Sequence, residues 1–441
     1  MTASHPSDPA TRRSFLKTTS AALIGSTLLD GVASASQPAL APARGDDALR
    51  IALVGCGGRG TGAAWQALST EGSVQLVAMA DAFEDRLASS LEQLAEGFPD
   101  AVDVPEERRF TGFDAYRQAI DADIDVVVIA TPPGFRPAHF EYAIAKGRHV
   151  FMEKPVAVDG PGVRRVLAAA AESKRKGLKV GVGLQRHHDA GYVETIQRIH
   201  DGAIGDVRLM RCYWNGSGVW VRPREPGMTE MEYQMRNWYY FNWLCGDHIV
   251  EQHIHNLDVC NWIMGGPPVK AQGQGGRQVR TGIDHGEIFD HHMVEYTYAD
   301  GTTLLSQCRH IPNTWSNVSE HVTGTRGSCN VGGASMTSTG GWDWRFTGQR
   351  GDAYQVEHDR LFAAIRQGLE HNEAERGATA SMTAILGRMA TYSGREVSWD
   401  EGLGSELDLT PAVLAWDAPP PSLPDEHGAY AIPMPGSTRA L

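Results

Sequence analysis

Between residues 50 and 182 short apolar runs alternate with longer amphipathic segments. Runs at 50–54, 74–80, 126–130, 149–152 and 179–182 read as strands, because each is apolar and bounded by turn-forming or polar residues. Segments 62–69, 83–95, 113–121, 136–146 and 160–176 carry the helical period. That alternation predicts a parallel sheet with crossover helices. Val126-Val127-Val128-Ile129-Ala130 shows no in–out alternation, as a strand buried on both faces requires. After Gln185 the pattern changes. A helix is expected at 192–201, a strand of alternating pattern at 207–214 and an aromatic-rich stretch at 220–243. A continuous helix over 247–264 ends at Gly265-Gly266-Pro267-Pro268. Strands at 269–275, 291–298, 302–309 and 319–325, with Asp300-Gly301 as a hairpin turn, predict a largely antiparallel sheet covered by helix. Helices at 355–370 and 378–393 follow, and the proline-rich tail reads as an extended arm. The expected division is a first α/β domain at 49–184, a second α+β domain at 185–400 and an arm at 401–441.

The join between the first strand and the first helix carries the first chemical signal. Gly55-Cys56-Gly57-Gly58-Arg59-Gly60 matches G-x-G-x-x-G. The first glycine permits a tight turn and the second lets backbone approach a pyrophosphate. The third allows close helix–strand packing, while the helix N-terminus offers free N–H groups to the anion. The second apolar run ends in Asp81, where a carboxylate suits the ribose hydroxyls of NAD and repels the extra phosphate of NADP. The first domain is therefore expected to be a Rossmann domain that binds NAD. Gly55, Gly57, Gly58, Arg59, Gly60 and Asp81 belong to its cofactor site, with Thr131, Pro132 and His139 after the third strand.

Composition narrows the partners. The chain has 441 residues, 21% of them charged, and a formal net charge of −13 without a basic cluster, which argues against a nucleic-acid surface. No apolar run is long enough to span a bilayer, so no stable membrane insertion is expected. Thr11-Arg12-Arg13-Ser14-Phe15-Leu16-Lys17, a modest apolar region and Ala33-Ser34-Ala35 follow the order of an export signal. The paired arginines resemble a twin-arginine leader, so 1–35 is expected to direct the protein to the periplasm or another exported location, with 36–48 as linker. Six cysteines lack C-x-x-C spacing, and no zinc knuckle is indicated.

Three elements in order, the glycine loop, Glu153-Lys154-Pro155 at a strand end and a histidine-bearing helix in the second domain, resemble the Gfo/Idh/MocA family of NAD(P)-dependent oxidoreductases. The resemblance covers roughly 50–393. It implies that Lys154 is the catalytic lysine facing nicotinamide and substrate, and that Pro155 stands where a cis proline is common. Independently, a lysine at the carboxyl edge of a parallel strand sits where open α/β sheets bind ligands. The family's third motif, an acid four residues before a histidine with another acid three after it, maps onto Glu251, His255 and Asp258. His253 stands where relatives often have glycine. On a continuous helix Glu251, His255 and Asp258 share one face, joined by His248.

The expected catalytic set is thus Lys154, His255, Glu251 and Tyr240. Glu153 and Gln185 join the cofactor site. Arg186, His187, Trp238, Tyr240, Trp243, His248 and His255 are expected around a sugar or cyclitol, with rings for stacking and polar groups for hydroxyls. His248, Glu251, His255 and Asp290-His291-His292 could supply nitrogen and oxygen ligands to a metal, but H-E-x-x-H is lacking and no metal is expected. The leading reading is an exported NAD-dependent oxidoreductase of a sugar, cyclitol or glycoside with tightly held cofactor. His255 or Lys154 would take the hydroxyl proton. The alternative is an NAD-dependent glycoside hydrolase using oxidation, elimination and hydride return, which needs a further base such as Tyr240 or His248. A non-catalytic sugar-binding protein is the third reading. The family resemblance implies a homo-oligomer, dimer or tetramer.

Overall fold

The computed structural model describes residues 48–441. The leader and nearly all of the linker, and with them the export reading, lie outside the described residues.

Six parallel strands form the first sheet: β1 (Leu49–Val54), β2 (Val74–Asp81), β3 (Arg109–Thr111), β4 (Val126–Ile129), β5 (His149–Met152) and β6 (Val180–Val182). Their order is β3-β2-β1-β4-β5-β6, so the strand order reverses at β1. Helices α1 (Gly58–Leu68), α2 (Glu84–Gly97), α3 (Ala115–Asp121), α4 (Arg136–Ala145) and α5 (Gly160–Arg175) make the crossovers. Val126–Ile129 is fully buried, as its uninterrupted apolar run requires. The register aligns Val54 with Ala80 and Ile129, Ile129 with Met152, and Met152 with Val182. The residues that follow these strand ends, among them Gly55, Asp81, Thr131, Glu153 and Gly183, therefore meet along one edge. That edge, at the switch point, is where such sheets bind ligands.

Helix α6 (Ala190–His200) leads to β7 (Val207–Gly216). Three short helices follow, α7 (Glu230–Arg236), α8 (Asn242–Cys245) and α9 (His248–Glu251), then α10 (Ile254–Met264). Strands β8 (Lys270–Gly276), β9 (His291–Thr297), β10 (Thr303–His310) and β11 (Asn317–Gly324) come next. Beyond them lie β12 (Gly327–Asn330), β13 (Ser335–Ser338) and β14 (Asp343–Arg345). Helices α11 (Ala353–Gln367) and α12 (Ala374–Ser393), β15 (Val397–Ser398) and α13 (Trp399–Leu403) complete the elements. The second sheet runs β14-β13-β12-β11-β7-β10-β9-β8-β15. All its pairings are antiparallel except β7 with β10, which makes it mixed. Strands β12–β14 went unforeseen because they are short and polar, with Cys329 and Met336 among their few buried side chains.

The continuous helix expected over 247–264 is two helices. Asp247 takes a left-handed φ of 74° and caps α9 with its own side chain. Between α9 and α10, His253 Nε2 bonds Ser306 Oγ at 2.7 Å and Gln252 Oε1 bonds His310 Nε2 at 3.0 Å. Both partners lie on β10, and the two tertiary bonds hold the chain at the break.

Helix α12 is buried along most of its length and joins the layers. Its Ser381 Oγ accepts from Val156 N at 3.0 Å, just after β5, and Gly387 lets it approach Tyr296 of β9 so closely that a Cβ would lie 2.0 Å from the phenol oxygen. The tail past α13 has no helix or strand, yet it is pinned. Leu409 N donates to Asp159 Oδ2 at 2.9 Å and Gly436 N to Ser393 O at 2.8 Å.

Candidate active site

The glycine loop divides its work as the motif requires. Gly55 has φ +95°, and a Cβ there would stand 2.6 Å from the Ala130 carbonyl carbon; one on Gly60 would stand 1.8 Å from Gly55 O. Gly57 and Gly58 instead face open space. Helix α1 starts without a side-chain cap, leaving its N-terminal amides for a ligand. The Asp81 carboxylate accepts Cys56 N at 2.6 Å and Phe83 N at 2.9 Å, and burial raises its pKa against those two bonds. Glu153, almost fully buried, pairs with Arg59 Nε at 2.5 Å. Burial alone would raise its pKa, but Arg59, then Lys154 and Arg136, hold it below the usual value. The donor set therefore fits a dinucleotide: uncapped amides for the pyrophosphate and a carboxylate at the ribose position. Gly60→Ala is expected to cost about 3 kcal/mol, at the upper end for overpacking because the clash is with backbone, and to weaken dinucleotide binding. A thermal melt paired with an NAD titration checks it; unchanged values in both would refute this reading of the loop.

A cavity of about 770 Å³ extends from this loop to the second domain. Lys154, joined to Pro155 by a cis peptide, follows β5. Its Nζ donates to Glu251 O at 2.7 Å and to Glu251 Oε1 at 3.1 Å. His255, one turn beyond Glu251 and just inside α10, borders the same cavity. Its ring stacks 5.9 Å from Trp214 of β7. Burial foremost, then Lys154 and Arg186, keeps the imidazole pKa well below the ordinary histidine value. The ring is neutral at physiological pH, which is the form a general base needs.

His139 also borders the cavity, 3.2 Å from Thr131 Oγ1 and stacked 3.9 Å from Tyr116. Burial, with Arg136 and Arg117, pushes its pKa down to about 3. Arg136 lies between the halves of the site. It donates to Pro155 O, its Nε has no partner, and burial lowers its pKa to about 10.

Thr131, Pro132, Lys154, Glu251, His255 and Trp238 all border the cavity. Several expected residues do not. Tyr240 is buried, and its hydroxyl donates to Trp220 O at 3.1 Å. Trp243 turns inward, with Nε1 donating to Gln234 Oε1 at 2.7 Å. His248 faces Asp247 (2.7 Å), the residue of positive φ that precedes and caps α9. Asp258 turns to His187 at 2.9 Å, and that histidine stacks 4.0 Å from Trp262, so neither borders the cavity. Arg186 is half-buried and pairs with Glu320, and Gln185 Nε2 donates to Tyr354 Oη at 3.0 Å. Tyr240→Phe is expected to leave kcat within about twofold and to cost about 1 kcal/mol of stability, the size of one hydrogen bond. A larger kcat loss, read by steady-state kinetics, would return Tyr240 to the catalytic set.

The sequence reading missed Arg136, Trp214, Trp220, Arg222, Gln252 and Tyr354, which all border the cavity. The alternating pattern of β7 could have flagged Trp214, but the others are placed only by tertiary contacts. Among the described residues Asp247, His248 and His292 form one group of donors within metal-binding reach. Their carboxylate is already engaged: besides His248, Tyr392 Oη (2.6 Å) and Phe289 N (3.0 Å) donate to it. The six cysteines are free and buried.

Comparison with known proteins gives consistent matches. The model "Oxidoreductase family, NAD-binding Rossmann fold" matches 49–183, and "GFO/IDH/MocA C-terminal domain" matches 192–330. Inositol 2-dehydrogenase of Rhizobium meliloti is 29% identical over 221 residues, 50% of this chain and 56% of that protein. Inositol 2-dehydrogenase of Ralstonia nicotianae is 31% identical over 185 residues, 41% and 47% of the two chains. The chain thus spans about half the length of the curated relatives it matches. Among solved structures, scyllo-inositol dehydrogenase from Lactobacillus casei with bound NAD(H) and scyllo-inositol has a TM-score of 0.61 at 20% identity, covering 80% of this chain and 99% of that one. Aldose-aldose oxidoreductase from Caulobacter crescentus has a TM-score of 0.61 at 20% identity, covering 79% and 99%. At such identity these structures establish the fold alone.

Proposed function

We propose, from the premise that this chain belongs to the Gfo/Idh/MocA family, that it is an NAD-dependent oxidoreductase of a sugar or cyclitol. The observation that carries the proposal is convergence. Lys154 from the nucleotide domain meets Glu251 of the second domain at 3.1 Å, with His255 beside them on the wall of one cavity that also contains the glycine loop. The inositol dehydrogenases among its relatives point to a cyclic polyol.

When bound, NAD supplies the hydride acceptor. The protein's own groups handle the proton and the charge. The neutral His255 imidazole takes the substrate hydroxyl proton. Lys154, held by the carbonyl and carboxylate of Glu251, presents a fixed donor to the oxygen as negative charge develops there. Trp214 and Trp238 offer ring faces to the pyranose or cyclitol, and Gln252 offers an amide to its hydroxyls.

The leader-like sequence at 11–35 makes export part of this proposal. An exported enzyme meets no cytoplasmic NADH pool, so the dinucleotide is carried within the folded protein and restored in each cycle by a second, carbonyl substrate. The glycosidase alternative needs a second base, and neither of its candidates, Tyr240 and His248, borders the cavity. The oxidoreductase reading is therefore the favoured one.

The test is to denature purified protein and identify the nucleotide released. Stoichiometric NAD(H) is expected, with one equivalent of NADH formed when a cyclic polyol is added and oxidised again by an added sugar carbonyl. Protein that neither carries nor binds NAD would overturn the proposal.

A further inference from the structure

The chain past α13 is held at two points that flank a single aromatic residue. Leu409 N is bonded to Asp159 Oδ2, and Ser422 O accepts from Gln234 Nε2 at 2.6 Å. Between them the Trp416 ring lies 4.5 Å from that of Phe113 and 5.2 Å from that of Phe83. Both phenylalanines border the dinucleotide cavity beyond Asp81. A smaller hollow bounded by Ala82, Phe83, Gly112 and Trp416 adjoins it along residues common to both. Arg236 of α7 stands 4.0 Å over the Phe83 ring and pairs with Asp85 at 3.2 Å. Two pieces of chain from the second half of the protein, α7 and the tail, therefore grip the start of α2 at the same end of the cavity.

Position decides what this end receives. Asp81 marks the ribose, and the pyrophosphate lies toward Gly57 and Gly58, so the base attached to that ribose extends toward Phe83, Gly112 and Phe113. A flat, apolar, polarisable base suits aromatic walls. We propose that Trp416 completes the adenine subsite and that segment 409–422 is a strap retaining the dinucleotide. The inference rests on the NAD-binding reading and deepens it. A strap pinned at both ends must lift, or the base must slide past its rings, before cofactor leaves, so its effect falls mainly on the release rate.

The test uses the full chain and its Trp416→Ala and Trp416→Phe variants, each first stripped of bound nucleotide, with NAD, ADP-ribose and nicotinamide mononucleotide titrated by calorimetry and NADH release from the reloaded proteins followed by fluorescence. For Trp416→Ala, affinity for NAD and ADP-ribose is expected to fall about tenfold and release to quicken by a similar factor. Nicotinamide mononucleotide, which lacks the adenosine, should bind equally to both proteins, and Trp416→Phe should recover most of the loss. Unchanged ADP-ribose affinity, or equal weakening of all three ligands, would overturn the strap while leaving NAD binding intact. Wild-type protein that binds neither NAD nor ADP-ribose would instead sink the cofactor reading beneath it. A measurement independent of any variant is amide hydrogen exchange across 409–422. It should be slower in the NAD-loaded protein than in protein stripped of its nucleotide, and equal rates overturn the proposal.

Discussion

Replacing Lys154 with alanine is expected to lower kcat about 10³-fold while NAD affinity stays within a few-fold, because positioned proton-transfer and charge-stabilising groups are worth about 10²–10⁴ in rate. The two effects separate because the groups are separate. The dinucleotide is expected to be held by the loop amides and Asp81, whereas Lys154 Nζ is committed to Glu251 at the far end of the cavity. A fixed ammonium next to a substrate oxygen acts chiefly as charge grows in the transition state, so its loss appears in kcat rather than in KM. Lys154→Arg keeps the charge but not the compact geometry, and should recover only part of the rate. Steady-state kinetics with parallel NAD titration decides the matter. A kcat loss below tenfold would remove Lys154 from the chemistry.

His255→Asn is expected to cost about 10²–10³-fold in kcat, and its pH signature distinguishes a base from a structural ring. Burial, Lys154 and Arg186 lower the wild-type imidazole pKa, so the ring stays unprotonated as pH falls through about 6.5, the ordinary histidine value. The acid limb of kcat/KM therefore belongs below about pH 6.5. Removing the Lys154 cation weakens one of the influences that lower the pKa, so the residual activity of Lys154→Ala should show that limb moved to higher pH. In His255→Asn the limb should vanish. An acid limb that persists unchanged in His255→Asn would assign it to another group.

The strand–loop–helix order of the nucleotide domain could be read residue by residue, because its determinants are local. Continuous apolar runs mark β1, β2 and β4 as strands of a buried sheet. The glycines at 55 and 60 answer contacts with residues close along the chain or on the adjacent strand end. The second domain was less legible. Its sheet is mixed because β10 lies parallel to β7, a pairing between strands nearly a hundred residues apart that no local pattern encodes. Strands β12–β14 are short and polar, so periodicity did not reveal them.

The site divides in the same way. The amino-acid sequence by itself determined which chemistry is available: a glycine loop with Asp81, a lysine at a strand end, and an acid and a histidine four residues apart. Only the tertiary structure decided which groups share a space. The continuous helix inferred from spacing placed Glu251, His255, Asp258 and His248 on one face. Glu251 and His255 border the cavity from either side of the break at Gln252–His253, which Ser306 and His310 of β10 hold, while His248 pairs with Asp247 and Asp258 with His187. Likewise the aromatic stretch at 238–243 reads as a uniform platform, yet Trp238 reaches the cavity while Tyr240 and Trp243 bond inward to Trp220 and Gln234. The tail reads as a bare extended arm, yet it sets Trp416 against Phe83 and Phe113. Periodicity fixes the direction of a side chain only while the backbone stays regular. At a break, or in chain without regular structure, direction is set by the nearest partner that can satisfy a buried polar group or cover an apolar ring.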